Sequence, residues 1–142
     1  MKHREIRSII IHCSATPEGK YFDAEDIDRW HKERGWNGIG YHFVILPGGE
    51  VQNGRPVNTQ GAHVKGHNRY SIGICYIGGV DKNNESPKDT RTPDQEQAMV
   101  SLIKVLRNVY GDIPVTGHRD FPGVTKACPS FDVSEWMYEA SI

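Results

Sequence analysis

The hydrophobic pattern of the chain changes period several times, and each change marks an element. Residues 6–13, "IRSIIIHC", put apolar β-branched side chains on both faces of an extended segment, which predicts a central strand covered on both sides. Residues 22–35, "FDAEDIDRWHKERG", switch to a helical period, with Ile27, Trp30, His31 and Arg34 on one face. Asp23 suits the N-cap, Asp26 completes a capping box, and Gly35 suits the stop. Tyr41 to Leu46 and Glu50 to Asn53 then read as two strands joined by a turn at Pro47-Gly48-Gly49. Residues 54–70 have no period and read as a long loop; residues 71–79, "SIGICYIGG", form a further strand.

The second half carries the clearest start signal. Thr92-Pro93-Asp94-Gln95 offers an N-cap, a proline at the first helical position and a glutamine three residues on. Ala98, Met99, Leu102, Ile103, Leu106, Val109 and Tyr110 form the apolar stripe that follows, and Gly111 ends it. Residues 113–118, "IPVTGH", predict the last strand, and Asp132 or Ser134 caps a short closing helix over "SEWMYEA". Strands alternate with helices, so the expected fold is α/β: a single domain over residues 1–142, with a central mixed β-sheet flanked by helices on both faces.

Composition narrows the function classes. A 142-residue chain is of ordinary domain size and can bury about 70% of its unfolded surface without disulfide staples. A net charge of −1 disfavours a general electrostatic grip on nucleic acid or anionic lipid. The three scattered cysteines, Cys13, Cys75 and Cys128, make no disulfide framework. The longest apolar run near the N-terminus is Ile9-Ile10-Ile11, too short for a signal peptide or a membrane span. A protein made in the cytoplasm, without nucleic-acid binding or membrane insertion, is expected, and a monomer is the default for such a domain.

Ligands of α/β sheets gather beyond the carboxyl ends of strands. His12 and His118 each close an apolar strand, and Cys128 can fold back towards them on a ten-residue loop stiffened by Pro122, Gly123 and Pro129. Two imidazoles and a thiolate suit a catalytic zinc ion, which keeps three protein ligands and one open position. The competing reading is a pair of strand-end histidines making ordinary hydrogen bonds beside a small buried cysteine. Blue copper also uses two histidines and a cysteine, but Met99 and Met137 both fall on predicted helices, away from an axial position.

The remaining histidines and cysteines read more plainly. His31 lies on a helix as a packing or surface residue, and His3 as a solvated terminus. Tyr41 and His42 are adjacent on a strand, so only one of them is expected to face a site. His63 and His67 sit in the long loop, where both functional and mobile polar residues occur. Cys13 alternates with His12 and is expected, like Cys75, in the core.

Three segments, "IIIHCSAT", "GWNGIGYHFVI" and "TGHRDFPGVTKACP", in that order, resemble the zinc-dependent N-acetylmuramoyl-L-alanine amidases. The likeness is to the small phage-lysozyme type, in the superfamily that includes peptidoglycan recognition proteins, and it spans residues 6 to about 131. It implies that His12, His118 and Cys128 bind one catalytic Zn2+ and that Tyr41 and Lys126 serve in catalysis. It also implies that His63 lies in the substrate cleft with Asn68 beside it. The implied partner is peptidoglycan or its muropeptide fragments, and the implied place of action is the cell wall after release. One departure stands out: Ser130 follows Pro129, where the family often has glycine.

Other residues are assigned by their neighbours. Asp120, two residues after His118, is expected either to orient a ligand or to bond its own backbone in a turn. Trp36, with Gly38 and Gly40, suggests an apolar substrate wall or, alternatively, ordinary core. Arg69 could meet acidic groups of a muropeptide, while Lys65 and Arg55 read equally as a solvated rim. The reaction implied is hydrolysis of the amide between N-acetylmuramic acid and L-alanine. A non-catalytic muropeptide-recognition module is the alternative; the presence of Tyr41, Lys126 and Cys128 favours the enzyme. A glycosidase would need two facing carboxylates, and no such pair emerges from the predicted strand layout.

Overall fold

The computed structural model describes residues 4–142, and His3 lies outside the described residues. The elements are β1 (Ser8–Cys13), β2 (Thr16–Pro17), α1 (Ala24–Glu33), β3 (Phe43–Ile45), β4 (Val51–Asn53), β5 (Ser71–Tyr76), β6 (Gly79–Val80), α2 (Pro93–Tyr110), β7 (Val115–Gly117) and α3 (Val133–Glu139). A short 3-10 turn, His118–Asp120, follows β7 directly. Five strands form one sheet in the order β4-β3-β5-β1-β7, and β2 pairs with β6 in a separate ribbon. The pairs β1–β5, β1–β7 and β3–β5 are parallel, and β3–β4 is antiparallel, so the sheet is mixed, as expected.

Strand β1 is interior, between β5 and β7, and its apolar run is buried on both faces: Ile9, Ile10 and Ile11 are all inaccessible to solvent. On one face Ile9, Ile11, Ile72, Ile74 and Tyr76 pack with Met99, Ile103 and Leu106 of α2 and with Val133, Trp136 and Met137 of α3. On the other face Val44, Cys75 and Ile77 pack with Ile27 of α1 and with Ile39. Alternation along the strands thus sends successive side chains to different helices.

The helix ends follow the local signals. Asp23 and Asp26 form the capping box of α1, and Thr92 and Gln95 form that of α2, with Pro93 at the start. Gln95 does a second job: its amide nitrogen donates to the carbonyls of Ile45 (3.2 Å), at the end of β3, and Ile77 (3.0 Å), just after β5. Asp132, not Ser134, caps α3. The apolar stripe of α2 is narrower than its residue types suggest. Val109, in its last turn, is 65% exposed.

The long loop between β4 and β5 is held by Arg4. Its guanidinium donates to the carbonyls of Val57 (2.9 and 3.0 Å), Arg69 (3.0 Å) and Ser71 (3.0 Å). Arg55 is a brace rather than a solvated rim, donating to the carbonyls of Ile39 (3.0 Å) and Gln60 (3.0 Å). Among the described residues no helix is long and apolar enough to cross a membrane.

Candidate metal centre and active site

The parallel register of the sheet brings the first and last strands together. Ile9, Ile10 and Ile11 pair with Val115, Thr116 and Gly117, so the next residues, His12 and His118, emerge level at the same sheet edge. Their rings lie 4.8 Å apart. His118 is the first residue of the 3-10 turn rather than the last of a strand. Asp120 fixes that turn by accepting the Gly117 N–H at 2.8 Å. The contact recorded for Asp120 is therefore to its own backbone, the turn-forming alternative.

Three bonds return Cys128 to the two histidines. The Arg119 N–H donates to the Cys128 carbonyl at 2.9 Å, tying the loop's end to its start. The buried Tyr76 hydroxyl donates to the Pro129 carbonyl at 2.6 Å. The Cys13 N–H donates to Cys128 Sγ at 3.3 Å. Gly117 gives Pro129 room, since a Cβ there would lie 3.0 Å from the proline ring. Ser130 occupies the position of a left-handed glycine at φ +71° and donates its hydroxyl to the Gly79 carbonyl at 2.8 Å.

The donor atoms of His12, His118 and Cys128 all lie within 4.8 Å of one another, and among the described residues they form the one histidine–cysteine–carboxylate group of this kind. Burial, reinforced by the neighbouring histidines, pushes the His12 pKa well below its usual value, so the ring is neutral at pH 7. Burial and the nearby Lys126 charge lower His118 in the same sense. The Cys13 thiol and burial together hold the Cys128 thiol up, towards its protonated form. Two neutral imidazoles and one thiol match the three-ligand donor set of a catalytic divalent metal.

Tyr41 packs its ring 4.9 Å from that of His12. Burial raises its phenol well above the usual value, so it stands as an O–H donor at neutral pH. The glycine before Tyr41 explains its setting: a Cβ at Gly40 would collide with the Ala62 carbonyl. The Gly40 N–H donates to His31 Nδ1 at 2.9 Å. His31 is thus a buried partner of the Tyr41 segment, which its helical position alone did not reveal. Its place on the Ile27 face of α1, where a polar residue needs a partner, was the available signal.

His42 turns away from the metal group. It accepts the Gly73 N–H on Nδ1 (3.0 Å) and contacts the Thr59 carbonyl through Nε2 (2.8 Å). His63 is largely enclosed, with both ring nitrogens engaged inside the protein: Nδ1 lies 2.8 Å from His12 Nε2, and Nε2 lies 3.2 Å from Ser71 Oγ. Burial lowers His63 to about 3 and His42 to about 4. The Asn68 side-chain oxygen accepts the N–H groups of His63 and Val64, both at 2.9 Å. Trp36 is 38% exposed, so it is not core; it lies against His31 at 4.5 Å. Lys126 is exposed, with its charge felt at His118, and Cys13 and Cys75 are buried as expected.

Comparison with known proteins places the chain in a family. Residues 2–131 match the family model described as N-acetylmuramoyl-L-alanine amidase. The chain is 42% identical over 135 residues to an endolysin of Klebsiella phage KP32, covering 95% of this chain and 87% of the relative. The endolysin N-acetylmuramoyl-L-alanine amidase LysCS from Clostridium intestinale URNW superposes with a TM-score of 0.80 at 30% identity, covering 97% of this chain and 85% of that one. Drosophila peptidoglycan recognition protein LB superposes with a TM-score of 0.73, also at 30% identity, over 90% of this chain and 78% of that one. The chain belongs to the N-acetylmuramoyl-L-alanine amidase family. It is accordingly an amidase, whose bond is the amide between N-acetylmuramic acid and L-alanine in peptidoglycan.

Proposed function

We propose that the chain is a zinc-dependent endolysin, hydrolysing that amide in the cell wall after release from the cell that made it. The observation that carries this reading is the convergence of His12, His118 and Cys128 with a buried phenol, Tyr41, against the first of them. His12, His118 and Cys128 would hold the ion, leaving one position for water or substrate. Zinc bound there supplies a water acidified to a pKa of about 7 and polarisation of the scissile carbonyl.

The chain's own groups do the rest. Tyr41, kept protonated by burial, donates a hydrogen bond to the attacking water or to the oxygen of the tetrahedral adduct. Lys126, exposed and two residues before Cys128, brings a positive charge to the developing oxyanion. Trp36, half-exposed beside His31, offers an apolar wall to the muropeptide.

Incubating purified peptidoglycan with the protein, with and without a chelator, tests this reading. New L-alanine amino termini that disappear with chelator and return with zinc support it. Release of reducing sugar ends, or turnover indifferent to chelator, would sink it.

A further inference from the structure

Behind His12 lies a chain of hydrogen bonds whose direction is set at its far end. Ser71 Oγ lies 2.7 Å from the His67 carbonyl, and a carbonyl can only accept, so the serine proton points there. The hydroxyl's lone pairs then face His63 Nε2 at 3.2 Å, which must carry a proton to make that bond. A neutral imidazole protonated on Nε2 is bare on Nδ1. His63 Nδ1 therefore receives the Nε2–H of His12 at 2.8 Å. That leaves the lone pair of His12 on Nδ1, the atom 3.8 Å from Cys128 Sγ.

The surroundings of His63 are shaped for this task. A Cβ at Gly61 would lie 2.7 Å from its ring, and one at Gly73 would lie 2.8 Å from it, so two glycines form the slot that holds the imidazole. Asn68 pins the backbone of the same turn through its bonds to the His63 and Val64 N–H groups. Arg4 secures the loop's return by donating to the Ser71 carbonyl at 3.0 Å.

We propose that His63, directed by Ser71, is a positioning residue that selects the tautomer and orientation of His12, so that Nδ1 is offered to the metal. His63 thus acts on the metal site through His12, and Asn68 serves the turn that presents it. This rests on the metal-site reading above. Outer partners of a ligating histidine typically contribute 10–100-fold to metal affinity.

The test joins spectroscopy of the wild-type protein to zinc affinities of variants. Long-range 1H–15N spectra of the imidazoles should show His12 and His63 both protonated on Nε2 and not on Nδ1. A proton on His63 Nδ1 would overturn the proposal, whatever the variants do. Chelator competition should show zinc held about 10–100-fold more weakly in His63→Ala and in Ser71→Ala. His63→Asn, which returns an acceptor oxygen near the Nδ1 position, should recover most of the loss, and the absorption bands of the cobalt-substituted protein should shift in His63→Ala but much less in His63→Asn. Zinc affinity within threefold of wild type in both His63→Ala and Ser71→Ala overturns this proposal alone. Wild-type protein that takes up no zinc overturns the metal site and this proposal with it. If His63→Ala does not fold, Ser71→Ala and the wild-type spectrum still decide.

Discussion

The hydroxyl of Tyr76 donates to the carbonyl of Pro129 at 2.6 Å, joining the central strand β5 to the residue that follows Cys128. Both residues are buried. The bond therefore makes the placement of a metal-ligand candidate depend on the core beneath it. Tyr76→Phe keeps the ring's packing and leaves that carbonyl without its partner, at a cost of about 1–3 kcal/mol. Urea titrations with and without zinc should show this loss, with a smaller stabilisation by zinc than in the wild type.

Cys128 and Lys126 share a loop but have separable roles in the proposed mechanism. Lys126→Ala should lower kcat by about 10²–10³-fold, the usual cost of one oxyanion-stabilising group, with zinc content unchanged. Cys128→Ala should lose both zinc and turnover. Metal analysis of the two purified variants, beside their rates of L-alanine terminus release, separates them.

Zinc uptake should be coupled to one proton near neutral pH. His12 and His118 are already neutral there, because burial lowers both, whereas the Cys128 thiol is held protonated and must give up its proton to bind. Affinity should rise about tenfold per pH unit between about pH 6.5 and 8, and fall as the medium is acidified. Calorimetry in buffers of different ionisation enthalpy counts the proton directly; a count near zero would contradict the assignment of Cys128.

Acid should unfold the protein through its buried histidines. His31 and His42 are lowered to about 4 and His63 to about 3, each chiefly by burial, against an unfolded value near 6.5. Between these limits the unfolded chain binds protons that the folded chain excludes. The stability these neutral rings contribute is thus complete above about pH 6.5 and is lost as pH falls towards 4 and 3. Each site changes stability by up to about 1.4 kcal/mol per pH unit in that window. Urea midpoints of the metal-free protein should drop steeply from pH 6.5 to 4.5, and His42→Gln should make the drop shallower by about one proton.

The elements were legible where a local signal suffices. The run Ile9-Ile10-Ile11, the capping boxes Asp23/Asp26 and Thr92/Gln95, and the stop at Gly111 all act over a few residues, and each element they announce is present. Strands β2 and β6, two residues each, carry no period that could announce them. Arg55 reads as a solvated rim, because the carbonyls it binds, of Ile39 and Gln60, lie in segments without a periodic pattern.

The sequence by itself determined the chemistry on offer: two histidines ending apolar strands, one cysteine on a short return loop, and a tyrosine among glycines. Residue type and spacing carry that information, since ligand chemistry and strand ends are local properties. Which groups meet was decided only by tertiary structure. The parallel register of β1 on β7 puts His12 level with His118, and the Tyr76–Pro129 bond lies beside the returning Cys128. The slot between Gly61 and Gly73 holds His63 against His12, where its loop position pointed equally to a functional or a mobile polar residue. Direction of that kind comes from long-range packing, which no spacing along the chain records.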